Sequence, residues 1–344
     1  MKILAVGEFD PCGVHLRQRR WLREVVGWDY RLAVHDVYRA EGTGADWWMY
    51  SAAWKEGVGQ TWEPNPAGCD FDALRAFAEA ADVIMFMPAI GQPWSYSDTT
   101  PRLTGDADGQ PFGPIDWSRT GRHARRVAVF HGSVNLAAQP QVYARHYRSK
   151  GCALAATTLD YVHAMEAEYL PSIVDLMNHP VAPLRAHGER LKVIHTPTDA
   201  RVSSTQAFVD AARALVGSRA SVSVGITSQV EHRECLMLKA QAHVGFDHLR
   251  GSFSINSLEN TALGLVNLVA MRDEYRRTLA ERWGVTLPWP DVTTMDDVMR
   301  EIARLRDDID ATRAEQAAAR RWYETQWSSH VTAQRIANVL ERVA

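Results

Sequence analysis

The chain lacks most of the signatures by which a sequence declares its chemistry at first reading. Its four cysteines, Cys12, Cys69, Cys152 and Cys235, stand far apart and share no metal-ligand spacing. That excludes a zinc ribbon and a disulfide-stapled scaffold, and it suits a reducing cytoplasm. There is no run of about eighteen apolar residues. The amino end offers only Ile3 to Val6, too short for a signal peptide, so a cytoplasmic protein without an integral membrane segment is expected. Neither sign of charge dominates: 38 Lys+Arg stand against 41 Asp+Glu, a net charge of −3, which argues against a bulk platform for nucleic acid or anionic lipid. Internal repeats and low-complexity tracts are absent, and the first glycine-bearing loop does not carry the G-x-G-x-x-G dinucleotide fingerprint.

What is present is length and rhythm. With 344 residues, 46% of them hydrophobic, the chain can build two domains with separate cores. Compact apolar runs at Ile3–Val6, Leu32–Val34, Val83–Met87 and Val127–Phe130 alternate with helical patterns, as in a doubly wound parallel sheet. The rhythm pauses over Asp175–Arg190, whose Pro and Gly content is that of an interdomain linker. It restarts with Leu191–His195, a helix over Thr205–Val216, Ser221–Ile226 and a helix over Glu231–Ala242. A last helix is predicted over Ala314–Val343. Tyr38 to about Asp70 reads as irregular, with Trp47, Trp48, Trp54 and Trp62 either forming an aromatic wall or plugging a small satellite core.

The most informative stretch is Val244–Met271, VGFDHLRGSFSINSLENTALGLVNLVAM. It reads as strand, small polar loop and helix start. The free N–H groups and dipole of a helix amino end favour an anion, and Ser252, Ser254, Asn256 and Ser257 are small enough to admit a phosphate. Glu259 projects from the first turn, either as an acid favoured there by the dipole or as an acceptor for ribose hydroxyls. His131, at the carboxyl end of a central strand, lies where open α/β sheets bind ligands; its alternative is a histidine satisfied by backbone. Arg17, Arg19, Arg20 and Arg23 form either a solvated face or a phosphate groove. Asp106-Ala107-Asp108 is read as a surface turn, because no calcium-loop glutamate follows and no apolar strand precedes it. His232, Cys235, His243 and His248 match no zinc spacing, and no metal is assigned.

Three segments together resemble the carboxyl-terminal half of GT-B glycosyltransferases, the large retaining group that uses sugar nucleotides: IHTPTDARVSSTQAFVDAARAL, the stretch around Glu259, and the closing RRWYETQWSSHVTAQRIANVLERV. VAVFHGS and LAATTLDYVHAMEAEYLPSIVDL resemble parts of the first domain. The resemblance implies an α/β GT-B fold of two Rossmann-like doubly wound domains facing a cleft. Residues 1–180 would be the acceptor-side domain, 181–325 the nucleotide-sugar domain, and 326–344 a helix returning to the first. It implies transfer of a sugar from a nucleotide donor to a hydroxyl, with retention and with no metal or other cofactor. The expected acceptor is a glycan, a small molecule or, as a minority reading, a hydroxylated DNA base.

Residue by residue, Glu259 is similar to the second glutamate of the family's paired motif, which holds the ribose. Ser254, Asn256 and Ser257 would lie over the sugar and diphosphate, His131 beside the donor sugar, and Gly13 in the loop close to the diphosphate. Two departures stand out. The position of the first glutamate is Gly251, and the basic clamp expected after His195 falls on Ala200 and Ser203, leaving Arg201 as the nearby cation. The alternative to an enzyme is therefore a catalytically silent GT-B module that binds a sugar or nucleotide.

Overall fold

The computed structural model describes residues 1–7, 14–34, 46–48, 50–55, 59–64, 69–87, 115, 119–131, 140–197, 204–218, 221–228 and 230–343. They divide into two compact units, Met1–Ile173 with Thr332–Ala344, and Val174–Val331. Among the described residues, no helix is long and apolar enough to cross a membrane.

Unit 1 is built on a parallel sheet. Its strands are β1 (Lys2–Gly7), β2 (Asp29–Val34), β3 (Trp47–Trp48), β6 (Val83–Met87), β7 (Arg125–Phe130), β8 (Cys152–Ala156) and β9 (Glu168–Tyr169), in the order β3-β2-β1-β6-β7-β8-β9. The apolar runs of the sequence are these strands: all five residues of β6 are buried, as are the last four of β7, which is the mark of strands covered on both faces. The chain moves from β1 to one side and returns to the other through β6, so the order reverses between β1 and β6. That reversal is the switch point where open α/β sheets bind ligands, outside the carboxyl ends of the strands. α1 (Val14–Trp21) begins beyond β1, α2 (Phe71–Glu79) starts at an Asp70 cap that accepts from the amides of Asp72 and Ala73, and α3 (Pro140–Ser149) and α4 (Leu159–Met165) flank β8.

One expectation changes here. Part of the stretch read as irregular is regular: Trp47–Trp48 adds to β2, and β4 (Tyr50–Lys55) pairs with β5 (Gly59–Pro64) as an antiparallel hairpin. Interspersed Gly, Pro and Trp concealed its alternation. Trp47 packs against Phe77 at 5.6 Å between ring centroids, which supports the satellite-core reading for this residue. Three arginines of α1 have partners among the described residues. Arg17 Nε donates to the Ile173 carbonyl at 2.8 Å, Arg19 pairs with Asp46 at 3.2 Å and Arg20 with Glu24 at 3.1 Å.

Unit 2 carries a four-stranded parallel sheet, β11-β10-β12-β13, made of β10 (Leu191–His195), β11 (Val222–Ile226), β12 (Val244–Phe246) and β13 (Val266–Leu268). Its switch point lies between β10 and β12. α5 (Thr205–Ser218), α6 (His232–Lys239) and α7 (Ile255–Ala262) connect the strands, and α8 (Asp273–Trp283), α9 (Met295–Asp307) and α10 (Ile309–Trp322) follow. Phe208 and Phe246 stack at 4.5 Å inside a core that also takes Val193, Val244, Leu268 and Ile302.

The segment with linker composition is fastened down. Arg185 Nη1 donates to the carbonyls of Leu305 and Arg306 at the end of α9 (2.7 and 2.9 Å), where a cation is favoured, and Tyr323 donates to the Val174 carbonyl at 2.6 Å. The predicted long last helix is broken. α10 runs into a π-helical turn, Tyr323–Trp327, then Ser328 turns extended (ψ 156°) before α11 (Ser329–Val343). Trp327 is fully buried there, so packing overrides a helical periodicity that continues through the break.

Candidate functional site

In unit 1, His131 immediately follows β7 and is tied by both ring nitrogens. Nδ1 lies 3.1 Å from Thr157 Oγ1, and Nε2 lies 2.8 Å from Nε2 of His15, a fully buried residue in the first turn of α1. His15 Nδ1 in turn meets the Tyr30 hydroxyl at 3.0 Å. Two proton orders satisfy this row: Thr157 donates to the Phe130 carbonyl (3.4 Å) and accepts from His131 Nδ1–H, or it donates to His131 Nδ1 and the row runs the other way through His15 to the Tyr30 oxygen. Burial pushes the His15 pKa down to about 3, against an opposing contact from Gln18, so His15 stays neutral in either order. The His131 ring is therefore fixed in orientation at the carboxyl edge of the sheet.

In unit 2, the site is organised by a residue that sequence reasoning passed over. Asp247 directly follows β12 and is 4% exposed. One carboxylate oxygen, Oδ2, accepts from the Ser254 hydroxyl (2.7 Å), the Ser257 hydroxyl (2.5 Å) and the Ser254 amide (3.3 Å). The other, Oδ1, accepts from Asn256 Nδ2 at 3.0 Å. Burial opposes ionisation of this group, but the nearby His248 ring and these donors overcome it and hold the Asp247 carboxyl below its ordinary range. Asn256 Oδ1 accepts from Thr196 at 2.8 Å, and His195 bridges the Phe246 carbonyl (3.0 Å) and Thr205 (2.8 Å). The ends of β10 and β12 and the start of α7 are thus locked together. Ser254 caps α7 by accepting from the Asn256 amide at 3.0 Å, and Phe253, edge-on to Trp289 at 5.3 Å and Trp327 at 6.0 Å, pins the loop to the core.

The side chains of Ser254, Asn256 and Ser257, expected to lie over the sugar and diphosphate, converge on Asp247, and the amides of Ser254 and Asn256 have acceptors within the loop. An ionised carboxylate occupies the favourable position at the helix amino end.

Glu259 lies in α7 with 7% of its surface exposed. Its Oε2 accepts from Lys239 Nζ at 2.5 Å and its Oε1 meets His232 Nε2 at 2.8 Å. Burial works against its charge, yet the Lys239 ammonium and the His232 ring hold its pKa at about 2. Lys239 is only 1% exposed, so the pair is a buried ion pair, and each carboxylate oxygen keeps a lone pair for a further donor. The signal for both partners was available: His232 and Lys239 are seven apart on α6 and share one face.

Gly13 and Arg201 lie outside the described residues, as do Ala200, Ser203 and the Asp106 turn. Gly251 has φ +83°, and a Cβ there would stand 2.9 Å from Arg272 Cγ. A glutamate here would take a backbone conformation that side chains rarely adopt and would displace the exposed Arg272 side chain. The three histidines among the residues considered for zinc have separate surroundings: His232 meets Glu259, His243 Nδ1 accepts from the Lys192 amide at 3.0 Å, and His248 lies 3.9 Å from Asp247. Among the described residues, no cluster of three or more metal-ligating side chains forms.

No family model and no curated protein matches the sequence. The fold does match solved structures, and they are GT-B glycosyltransferases. HepE of Anabaena, in complex with UDP and glucose, superposes with a TM-score of 0.61 at 11% identity over 99% of this chain and 100% of its own. An alpha-glucosyltransferase in complex with UDP and a mismatched 13-mer DNA gives 0.56 at 11% identity, over 99% and 100%. A glycosyltransferase of Rickettsia africae gives 0.57 at 10%, over 99% and 98%. The chain has the GT-B fold.

Proposed function

We propose that the protein is a glycosyltransferase that moves a sugar from a nucleoside diphosphate, a UDP-sugar in the first instance, to an acceptor hydroxyl. The observation that carries this reading is a buried, ionised Glu259 on α7, whose carboxylate oxygens can each take a further donor, on a fold among whose solved neighbours are glycosyltransferases in complex with UDP. Glu259 takes the ribose hydroxyls on its remaining lone pairs. The loop of Ser254, Asn256 and Ser257, stiffened by Asp247, shapes the floor beneath the diphosphate and sugar. His131 offers a ring nitrogen to a sugar hydroxyl, and Gly13 and Arg201 belong to the donor-binding loops. Retention of the anomeric configuration, independence of metal and a cytoplasmic setting are part of the proposal. A glycan, a small molecule or a hydroxylated base in DNA is the acceptor.

The second reading, a silent module that binds nucleotide without transfer, draws support from Gly251 and from the occupied amides of Ser254 and Asn256. A panel of UDP-sugars offered with oligosaccharides, small alcohols and phenols, and DNA carrying hydroxymethylated cytosine separates the two. The enzyme reading predicts UDP release with at least one pair, unchanged in excess EDTA and lowered at least tenfold in His131→Ala. Tight binding of a donor with no release from any acceptor or from water favours the silent module.

A further inference from the structure

A nucleoside diphosphate leaving group needs positive charge beside it, because stabilising developing charge is commonly the largest catalytic contribution. The carboxyl edge of the unit 2 sheet has committed much of what it would normally offer. Asp247 sits at the α7 amino end, and the Lys239 ammonium is spent on Glu259.

One cation in that neighbourhood is placed differently. Arg272 lies just past β13, on the same edge of the sheet, and its amide donates to the Gly251 carbonyl at 3.0 Å. Its side chain runs directly across Gly251: a Cβ at that position would stand 2.9 Å from Arg272 Cγ and 3.0 Å from Nε. Gly251 also takes φ +83°, which a side chain rarely adopts. The guanidinium lies 5.5 Å above the Tyr275 ring, with Nη1 3.3 Å from the Tyr275 hydroxyl and 3.5 Å from Glu274. The Arg272 side chain is 59% exposed, so its charged end faces solvent and the pair with Glu274 is a weak, screened one. The guanidinium is steadied by an aromatic face while its remaining donors stay available.

The glycine where a paired glutamate was expected and the arginine lying over it are one arrangement. We propose that Arg272 binds the diphosphate of the nucleotide donor, in the slot that Gly251 leaves open. The guanidinium supplies two parallel N–H donors to phosphate oxygens, a geometry that a lysine ammonium does not reproduce. This assignment rests on the nucleotide-sugar reading above and adds to it the group that faces the leaving charge.

The test is calorimetric binding of UDP, UMP and uridine to the full-length protein, with Arg272→Gln, Arg272→Lys and Gly251→Ala beside it and a thermal melt of each. Arg272→Gln is expected to weaken UDP about tenfold or more, UMP less, and uridine not at all. Arg272→Lys should fall between wild type and Gln. Gly251→Ala should weaken UDP while sparing uridine, because its Cβ displaces the arginine. UDP bound by Arg272→Gln as tightly as by wild type overturns the assignment alone. Failure of the wild type to bind any of the three overturns it together with the nucleotide reading.

Discussion

Lys239→Met is expected to destabilise the protein by about 3 to 5 kcal/mol at neutral pH, because it leaves the buried Glu259 carboxylate without its ammonium. Lys239 is 1% exposed and its Nζ lies 2.5 Å from Glu259 Oε2. His232 remains, but its side chain is 61% exposed, and a partly solvated imidazole is a weaker counter-charge. The pH dependence identifies the mechanism. In the wild type the Glu259 pKa is depressed from 4.5 to about 2, so its contribution is fully present above pH 4.5 and is lost as pH falls toward 2. In the variant, burial without the ammonium raises that pKa, so the deficit relative to wild type should begin to shrink above pH 4.5, as the variant's carboxyl takes up its proton, and should shrink further below pH 4.5 as the wild type loses its pair. Adding Glu259→Leu to Lys239→Met should recover most of the loss, since replacing both charges by apolar groups removes the unpaired ion. Urea denaturation at pH 7 and pH 4 checks all three statements. A single variant as stable as wild type at pH 7 would show that the pair contributes nothing.

Asp247→Ala should cost about 2 to 4 kcal/mol and weaken UDP binding by more than tenfold. The carboxylate gathers the hydroxyls of Ser254 and Ser257, the Asn256 amide group and the Ser254 amide. Each donor left buried without an acceptor costs about 1 to 3 kcal/mol, and water recovers part of this at the half-exposed Ser254 and Asn256. Ser257 is fully buried and gains no such relief. Asp247→Asn keeps an acceptor at one oxygen and presents a donor to donors at the other, so an intermediate loss is expected. Denaturant unfolding and UDP calorimetry read the two effects separately. Wild-type affinity in Asp247→Ala would mean that the loop before α7 takes no part in holding the nucleotide.

The central strands of unit 1 were readable because they carry unbroken apolar runs, as in Ile3–Val6 and Val127–Phe130, which is how a strand buried on both faces reads. The hairpin of β4 and β5 was not, because its alternation is diluted by tryptophan, glycine and proline. The break at Ser328 was hidden because its neighbours keep a helical period, while the fully buried Trp327 sets the local path.

The site divides in the same way. Glu259 and the serine-rich loop could be found by their place after a strand and at a helix start. Asp247 could not, since an aspartate after a strand looks like an ordinary turn residue until the three side chains that converge on it are seen. Lys239 looks like a surface residue on a polar helix, and only the tertiary contact with Glu259 makes it buried. His15 carries no local signal at all. Its neutral state and its bond to His131 come from β7 and α1, two elements far apart in the chain.

A crystal structure of the protein with UDP bound tests the central claim most directly. The account predicts the nucleotide in unit 2, at the carboxyl ends of β10 and β12, with ribose hydroxyls about 3 Å from the Glu259 carboxylate and the diphosphate beside Arg272. UDP bound only in unit 1, or in unit 2 with its ribose out of reach of Glu259, would contradict it.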